Sequence, residues 1–533
     1  MLSVAIVGTG PTGLYTFAAL TRSLGPCRIT LYEKTDTIGV GTPYSLETAT
    51  KAMLANIASI EIPPLQISYL DWMQAQPDEI LHRYGLDRAD LDKRLFTPRL
   101  MLGSYFNDQF HALIEAARAT GHDVTVHTGT EVSDILATED GLRVMAGDNA
   151  VFDRVILASG HSFDDDAQSG RFFPNPWSGL IQTDVPAVRV GVLGTSLSAI
   201  DAAMAVATQH GRFVAGKGDD LRYDRTEAGL QITLMSRSGV LPEADFYCPI
   251  PYTPLEVMTE AALEAALGEP APLDAVFDLF RAEIAVADPG YAKRIGLSRL
   301  TADDFAAAYF ADRLARDPFR WARDNLAEVE ANRRAKVTVG WRYAILRMHE
   351  RVEAVLPQLP EADRARFDAG LKRVFIDNYA AVPPESIRRL LALRNAGVLS
   401  VAALGQDYDL EIGRKGTEIT AGTDQLYFDV FIDARGQKPM ETKDLPFGSL
   451  RRAVRAAGHD VPLLDDGYAL CDVPGYGKRL VLAALPYLMH DRPFVQGITA
   501  SAEIGAAIAE GLMQTAGRPK HRWRFGQMLE MAG

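Results

Sequence analysis

Cysteine is scarce in this chain of 533 residues: Cys27, Cys248 and Cys471 are the only three. They stand far apart, in no C-x-x-C pair and no zinc-ligand spacing. That pattern argues against a thiol–disulfide redox centre, and no metal site is expected. Scattered cysteines of this kind suit a reducing cytoplasm. Long apolar runs are lacking too. No stretch of 18 or more apolar residues occurs, so no membrane-spanning helix is expected. The N-terminus, MLSVAIVGTG, runs straight into a strand and a glycine turn. It offers no basic segment, apolar run and cleavage site, so no signal peptide is expected. Positive charge is in deficit as well. The 55 Lys and Arg face 69 Asp and Glu, a formal net charge of −14. An acidic chain repels nucleic acid and anionic membrane, and neither is expected as a partner.

What is present fits a soluble protein of more than one domain. The length exceeds what one hydrophobic core usually covers, and 47% hydrophobic with 23% charged residues is an ordinary globular balance. Val4 to Val7 is an apolar, partly β-branched run, as a buried parallel strand should be. Gly8-Thr9-Gly10-Pro11-Thr12-Gly13 follows at once and fits G-x-G-x-x-G. Leu14 to Leu24 then carries apolar residues at helical spacing. Gly8 permits the tight turn, Gly10 lets backbone approach a pyrophosphate, and Gly13 allows close helix–strand packing. The helix N-terminus supplies free N–H groups and the positive end of a dipole. A second strand, Arg28 to Tyr32, ends on Glu33, with Lys34 beside it. An acid at that distance from the glycines accepts hydrogen bonds from ribose hydroxyls.

Val4 to Glu33 resembles the FAD-binding opening of flavoproteins with two dinucleotide-binding domains. The Gly39-Val40-Gly41-Thr42-Pro43-Tyr44-Ser45 loop, Met53-Leu54-Ala55-Asn56, and Phe96-Thr97-Pro98-Arg99 with Gly103 and Tyr105 narrow the likeness. Together they resemble the FAD/NAD(P)-binding family, which includes flavin-dependent hydroxylases. The resemblance implies cofactor roles for Gly41, Thr42, Asn56 and Arg99. Val151 to Gly160 resembles the strand where such chains cross between domains, with Ser159 in the usual threonine place before Gly160. Asp123 to Val126 and Val132 to Leu136 read as a small β excursion, and the family's backbone near Val132 approaches the adenine.

Arg189 to Leu193 is another short β run, followed by Gly194-Thr195-Ser196-Leu197-Ser198 and an apolar-faced helix from Ala199 to Gln209. Gly194, Ser196 and Ser198 stand where the family's pyridine-nucleotide domain has its own small-residue turn; Thr195 and Leu197 complete it. Ile232 to Ser238 is the next strand and its end. Where the first site carries Glu33, this one carries Ser236-Arg237-Ser238. An acid suits a free ribose 2′-hydroxyl, whereas arginine with hydroxyl neighbours suits a 2′-phosphate, so NADPH is expected over NADH. Phe428 to Gly436 repeats the crossover pattern. Pro493 to Ile498 precedes a helix near Ala500, and in the family the Gly497-Ile498 type of pair faces the flavin.

The fold class expected is therefore α/β: two Rossmann-like dinucleotide-binding domains with a helical insert. Residues 1–170 and 438–533 form the FAD domain, and 180–437 the NAD(P)H domain, including an insert at 255–400. The insert is rich in Ala, Leu, Arg and Glu and amphipathic over Leu273 to Val286, Ala302 to Leu314 and Phe319 to Ala335. Arg342, His349 and Asn378 are its candidate substrate contacts. No catalytic acid or base stands out. The resemblance implies an FAD-dependent, NADPH-consuming, cytoplasmic monooxygenase. Its substrates are molecular oxygen and a small molecule, a small amine or amino acid hydroxylated on nitrogen through a flavin C4a-hydroperoxide. The alternatives are an NAD(P)H oxidoreductase serving a quinone or protein partner, and a nucleotide-binding redox sensor.

Overall fold

The computed structural model describes every residue except 162–169, 178, 217–219, 267, 269–271, 437, 496 and 516–533. The chain divides into two compact units. Unit 1 comprises Met1–Lys51, Ile57–Phe163 and Gln437–Gly533, and unit 2 comprises Ala52–Asn56 and Asp164–Gly436.

Unit 1 is built on a five-stranded parallel sheet. Its order is Leu480–Leu482, Arg154–Leu157, Ser3–Val7, Arg28–Tyr32, Asp123–His127. Ser3–Val7 lies at the centre, and Val4, Ala5 and Ile6 are wholly buried, because a central parallel strand has both faces covered. The helix Pro11–Ser23 follows with proline at its first turn, where a missing N–H is no loss. Asp123–His127 pairs in parallel with Arg28–Tyr32. It is the edge strand of this sheet rather than part of a β excursion. Alternating apolar residues look the same in either setting, and pairing alone distinguishes them. The excursion is the antiparallel meander Asp134–Ala137, Leu142–Met145, Val151–Phe152.

Unit 2 repeats the scheme: Leu399–Ala403, Gln231–Ser236, Arg189–Leu193, Val430–Asp433, Phe172–Phe173, again all parallel. In each sheet the central strand runs into a glycine turn and a helix, here Leu197–Ala207. Counted along the chain from each central strand, a three-stranded antiparallel meander precedes the fourth strand; in unit 2 it is Tyr408–Ile412, Thr417–Ala421, Asp424–Phe428. The two units are two copies of one α/β design, and both are Rossmann-like. The copies differ between their second and third strands. Unit 2 places there a long helical insert, including Leu273–Ala287, Phe305–Leu314, Pro318–Ala335, Gly340–Val355, Leu371–Tyr379 and Pro384–Asn395. Among the described residues no helix is long and apolar enough to cross a membrane.

The helix Gly497–Thr515 packs on Pro11–Ser23. A Cβ on Gly505 would stand 2.7 Å from the Tyr15 carbonyl carbon, and Thr12 Oγ1 lies 3.0 Å from Ser501 Oγ. Gly505→Val therefore overpacks a backbone contact and should lower unfolding free energy by about 1–3 kcal/mol. Urea denaturation reads this as a lower midpoint; an unchanged midpoint would show that the two helices can part without loss.

Candidate functional site

The first turn is held by contacts that leave no room for side chains. Gly8 has φ +92°, and a Cβ there would stand 2.4 Å from the Ala158 carbonyl oxygen and 3.1 Å from Ser159 Cα. A Cβ on Gly13 would meet the Gly8 oxygen at 2.2 Å. Gly10 precedes the helix in extended conformation, and no side chain caps its first N–H groups. A Cβ on Gly10 would lie 3.2 Å from Gly41 Cα, and Gly41 has φ +58°. Thr42 follows Gly41 in the short helix Gly41–Tyr44. The result is a bare backbone cradle at a helix N-terminus, which fits a pyrophosphate. Ser159 and Gly160, which has φ +68°, are both exposed where the chain leaves the sheet.

Glu33 is 8% exposed. Its Oε2 accepts from Thr9 N at 3.1 Å and Thr9 Oγ1 at 2.7 Å. Its Oε1 accepts from Thr35 N and Thr35 Oγ1, both at 3.0 Å. All four acceptor directions of the carboxylate are thus occupied. Any further donor to this carboxylate must displace one of these threonine groups. Thr9, inside the glycine motif, and Thr35, two residues past Glu33, were not among the sequence candidates. Lys34 is exposed. Val132 precedes the meander and packs on the core of unit 1. Gly497, with φ +75°, and buried Ile498 begin the helix Gly497–Thr515.

Other motif residues serve packing. A Cβ on Gly103 would lie 2.4 Å from the Tyr44 carbonyl oxygen, so glycine is needed where the helix Arg99–Ala119 abuts that loop. Arg99 is the first residue of that helix. Asn56 lies on the five-residue stretch that belongs to unit 2, where its buried Oδ1 has no hydrogen-bond partner among the described residues. His161 follows the crossover; burial pushes its pKa down to about 4, leaving the imidazole neutral at pH 7.

In unit 2, Gly194 has φ +141°, and its N–H donates to Met235 O at 2.6 Å. A Cβ there would stand 2.8 Å from the Ala434 oxygen, so this turn demands glycine as Gly8 does. Ser196 precedes the helix Leu197–Ala207 and its hydroxyl makes no capping bond. With Thr195 and Ser198 it surrounds a helix N-terminus with small polar groups. At the end of the second strand, Ser236 Oγ accepts from Gly239 N at 3.0 Å. Arg237 is exposed, its Nη1 3.5 Å from Gln406 Oε1. A Cβ on Gly436 would meet nothing within 4 Å; packing does not require glycine there.

The three substrate candidates of the insert fall in different settings. Arg342 is 4% exposed. Its Nε and Nη2 lie 3.0 and 3.2 Å from the Glu243 oxygens, and its Nη1 lies 3.2 Å from Glu328 Oε2. It is committed to a buried ion-pair network and is not presented to a ligand. Arg313 joins that network through Asp377 and donates to Leu241 O at 2.6 Å. Burial works against its charge, but Asp377 and Glu243 outweigh that and hold its pKa above the ordinary arginine value. His349 is half-buried, with its ring 5.5 Å from that of Tyr379 and Nδ1 against Leu346 O. Asn378 is 6% exposed, with its Oδ1 lacking a partner among the described residues. Among the described residues no cluster of His, Cys, Asp or Glu could hold a metal ion.

Comparison with known proteins agrees with this geometry. Residues 5–162 match the family described as FAD-NAD(P)-binding, and residues 259–379 match that of the YdhS-like middle domain. The protein YdhS of Escherichia coli (strain K12) is 49% identical over 533 residues, covering 98% of this chain and 100% of that protein. The solved L-lysine 6-monooxygenase of Pseudomonas syringae shares the fold, with TM-score 0.51 and 14% identity over 96% of this chain and 99% of that one. The ornithine N-hydroxylase KtzI of Kutzneria sp. 744 aligns with TM-score 0.49 and 14% identity over 96% and 99%.

Because Gly10 faces Gly41 backbone to backbone, Gly10→Val should close the cradle. The variant is expected to purify without bound flavin, read from its visible absorbance. A fully yellow variant would contradict the assignment of the first turn.

Proposed function

The chain belongs to the YdhS family, and on that premise we propose that it is an FAD-dependent, NADPH-consuming monooxygenase acting on the nitrogen of a small amine or amino acid. The observation that carries the proposal is the pair of Rossmann-like turns, each followed by an uncapped helix, whose second strands end differently. Gly8, Gly10, Pro11, Thr12 and Gly13 hold the FAD pyrophosphate and Glu33 its ribose. Gly194 to Ser198 hold the pyrophosphate of the second nucleotide, and Arg237 with Ser236 its 2′-phosphate. An arginine fork matches a phosphate dianion, where a glutamate in its place would repel it.

Bound FAD supplies the capacity to take hydride from a reduced nicotinamide and to pass electron pairs to oxygen. The chain's own part is to bind, orient and exclude water. For an amine substrate, NADPH, a proton, oxygen and the amine give NADP⁺, water and the hydroxylamine. The L-lysine 6-monooxygenase that shares the fold suggests the substrate class.

Two experiments test this reading. With the right amine or amino acid, NADPH oxidised, oxygen consumed and hydroxylated product formed should run one to one to one. Rapid turnover of a quinone acceptor, with oxygen consumption unrelated to any amine, would replace the proposal with a reductase. Arg237→Gln should raise KM for NADPH roughly tenfold and leave that for NADH little changed, the loss of about one charge-assisted contact. Equal changes for both nucleotides would remove the 2′-phosphate assignment.

A further inference from the structure

The insert carries an arginine that meets the end of the second strand of unit 2. Arg373, on the helix Leu371–Tyr379, donates from Nη2 to Ser238 Oγ at 2.9 Å. Its guanidinium carbon lies 4.2 Å from the centre of the Phe310 ring. The fork is thereby fixed one residue past Arg237, although the side chain remains exposed. Asp377, one turn along the same helix, is engaged by Arg313 and by the Tyr309 hydroxyl at 2.9 Å. Among the described residues neither Arg237 nor Arg373 pairs with a carboxylate. Partial burial and the charges of Arg237 and Arg313 outweigh Asp377 and hold the Arg373 pKa below the ordinary arginine value. Arg237, Arg373 and the Ser238 hydroxyl thus stand at one strand end, and the carboxylate that acts on Arg373, Asp377, is already engaged by Arg313, an arrangement that a phosphate completes.

A cavity of about 160 Å³ adjoins this cluster. Its lining includes Ser238, Gly239, Leu241 and Trp321 together with Arg313 and Arg316. The Trp321 Nε1 is buried with no hydrogen-bond partner among the described residues, and the guanidinium carbons of Arg316 and Arg313 lie 5.2 and 6.0 Å from its ring centre. The position agrees with the rule that ligands of open parallel sheets lie beyond the carboxyl ends of the strands.

We infer that the helical insert reads the adenosine end of NADPH: Arg373, with Arg237 and Ser238, binds the 2′-phosphate beside this cavity. This rests on the NADPH reading above and assigns its selectivity in part to the insert. Arg373 is then a specificity-determining residue 136 positions beyond the strand end it serves (373 − 237).

The test is calorimetric titration of the FAD-loaded full-length protein with 2′,5′-ADP and with 5′-AMP, which needs no turnover. The unchanged protein should bind 2′,5′-ADP roughly tenfold or more tightly than 5′-AMP, and Arg373→Gln should lose roughly tenfold for 2′,5′-ADP alone. Arg373→Lys, which keeps the charge without the fork, should fall between. If Arg373→Gln binds both ligands as before, or weakens both equally, the inference is overturned. In that event a selective loss in Arg237→Gln leaves the NADPH reading standing. If the unchanged protein does not prefer 2′,5′-ADP, both fall together.

Discussion

Backbone meets backbone at two glycine turns, and that close approach constrains everything built around them. At Gly8 and at Gly194 a central strand stops against the carbonyl of the neighbouring crossover, Ala158 in one unit and Ala434 in the other. Each chain then enters a helix with positive φ and no space for a Cβ. That geometry aims a helix N-terminus past the carboxyl edge of a parallel sheet, where unpaired N–H groups and a dipole favour an anion. The apolar strands, the parallel order and the close helix Gly497–Thr515 all serve to hold the first of these turns. The two units repeat one solution, even to the antiparallel meander before the fourth strand.

Their divergence is chemical. The first second-strand ends on Glu33, whose oxygens are filled by Thr9 and Thr35. The other ends on Ser236, Arg237 and Ser238, and the insert closes over it. That insert is anchored by buried polar contacts to the segment after the strand. Arg313 donates to Leu241 O, Asn325 Oδ1 accepts from Ala244 N at 2.8 Å, and Glu243 faces both Arg342 and Arg313. Removing one partner from such a network leaves a buried charge uncompensated, at a cost of about 3–5 kcal/mol. These contacts fix the insert's register against the sheet, and so set where Arg373 can reach.

Much of this was legible from sequence because local rules and tertiary demands coincide. Gly8, Gly10 and Gly13 announce the turn and the helix start by their spacing, and Glu33 the end of the second strand, because all are set within one strand–helix–strand unit. The turn at Gly194 was legible for the same reason, despite fewer glycines. Asp123–His127 was misplaced because an edge strand and a meander strand share one alternation. Arg342 could not be resolved as an ion-pair residue, because Glu243 lies 99 positions away (342 − 243). Arg373 was hidden likewise: nothing near it in sequence signals a nucleotide, and only folding brings it to Ser238.

The monooxygenase reading stands or falls on whether reduced flavin in this protein handles oxygen in a controlled way. To decide it, the FAD-loaded protein is reduced anaerobically with NADPH and mixed rapidly with oxygenated buffer while the flavin spectrum is followed. A monooxygenase should show a spectrum distinct from both reduced and oxidised flavin, persisting before the oxidised form returns. Direct return to oxidised flavin, both without and with amine substrates present, would contradict it.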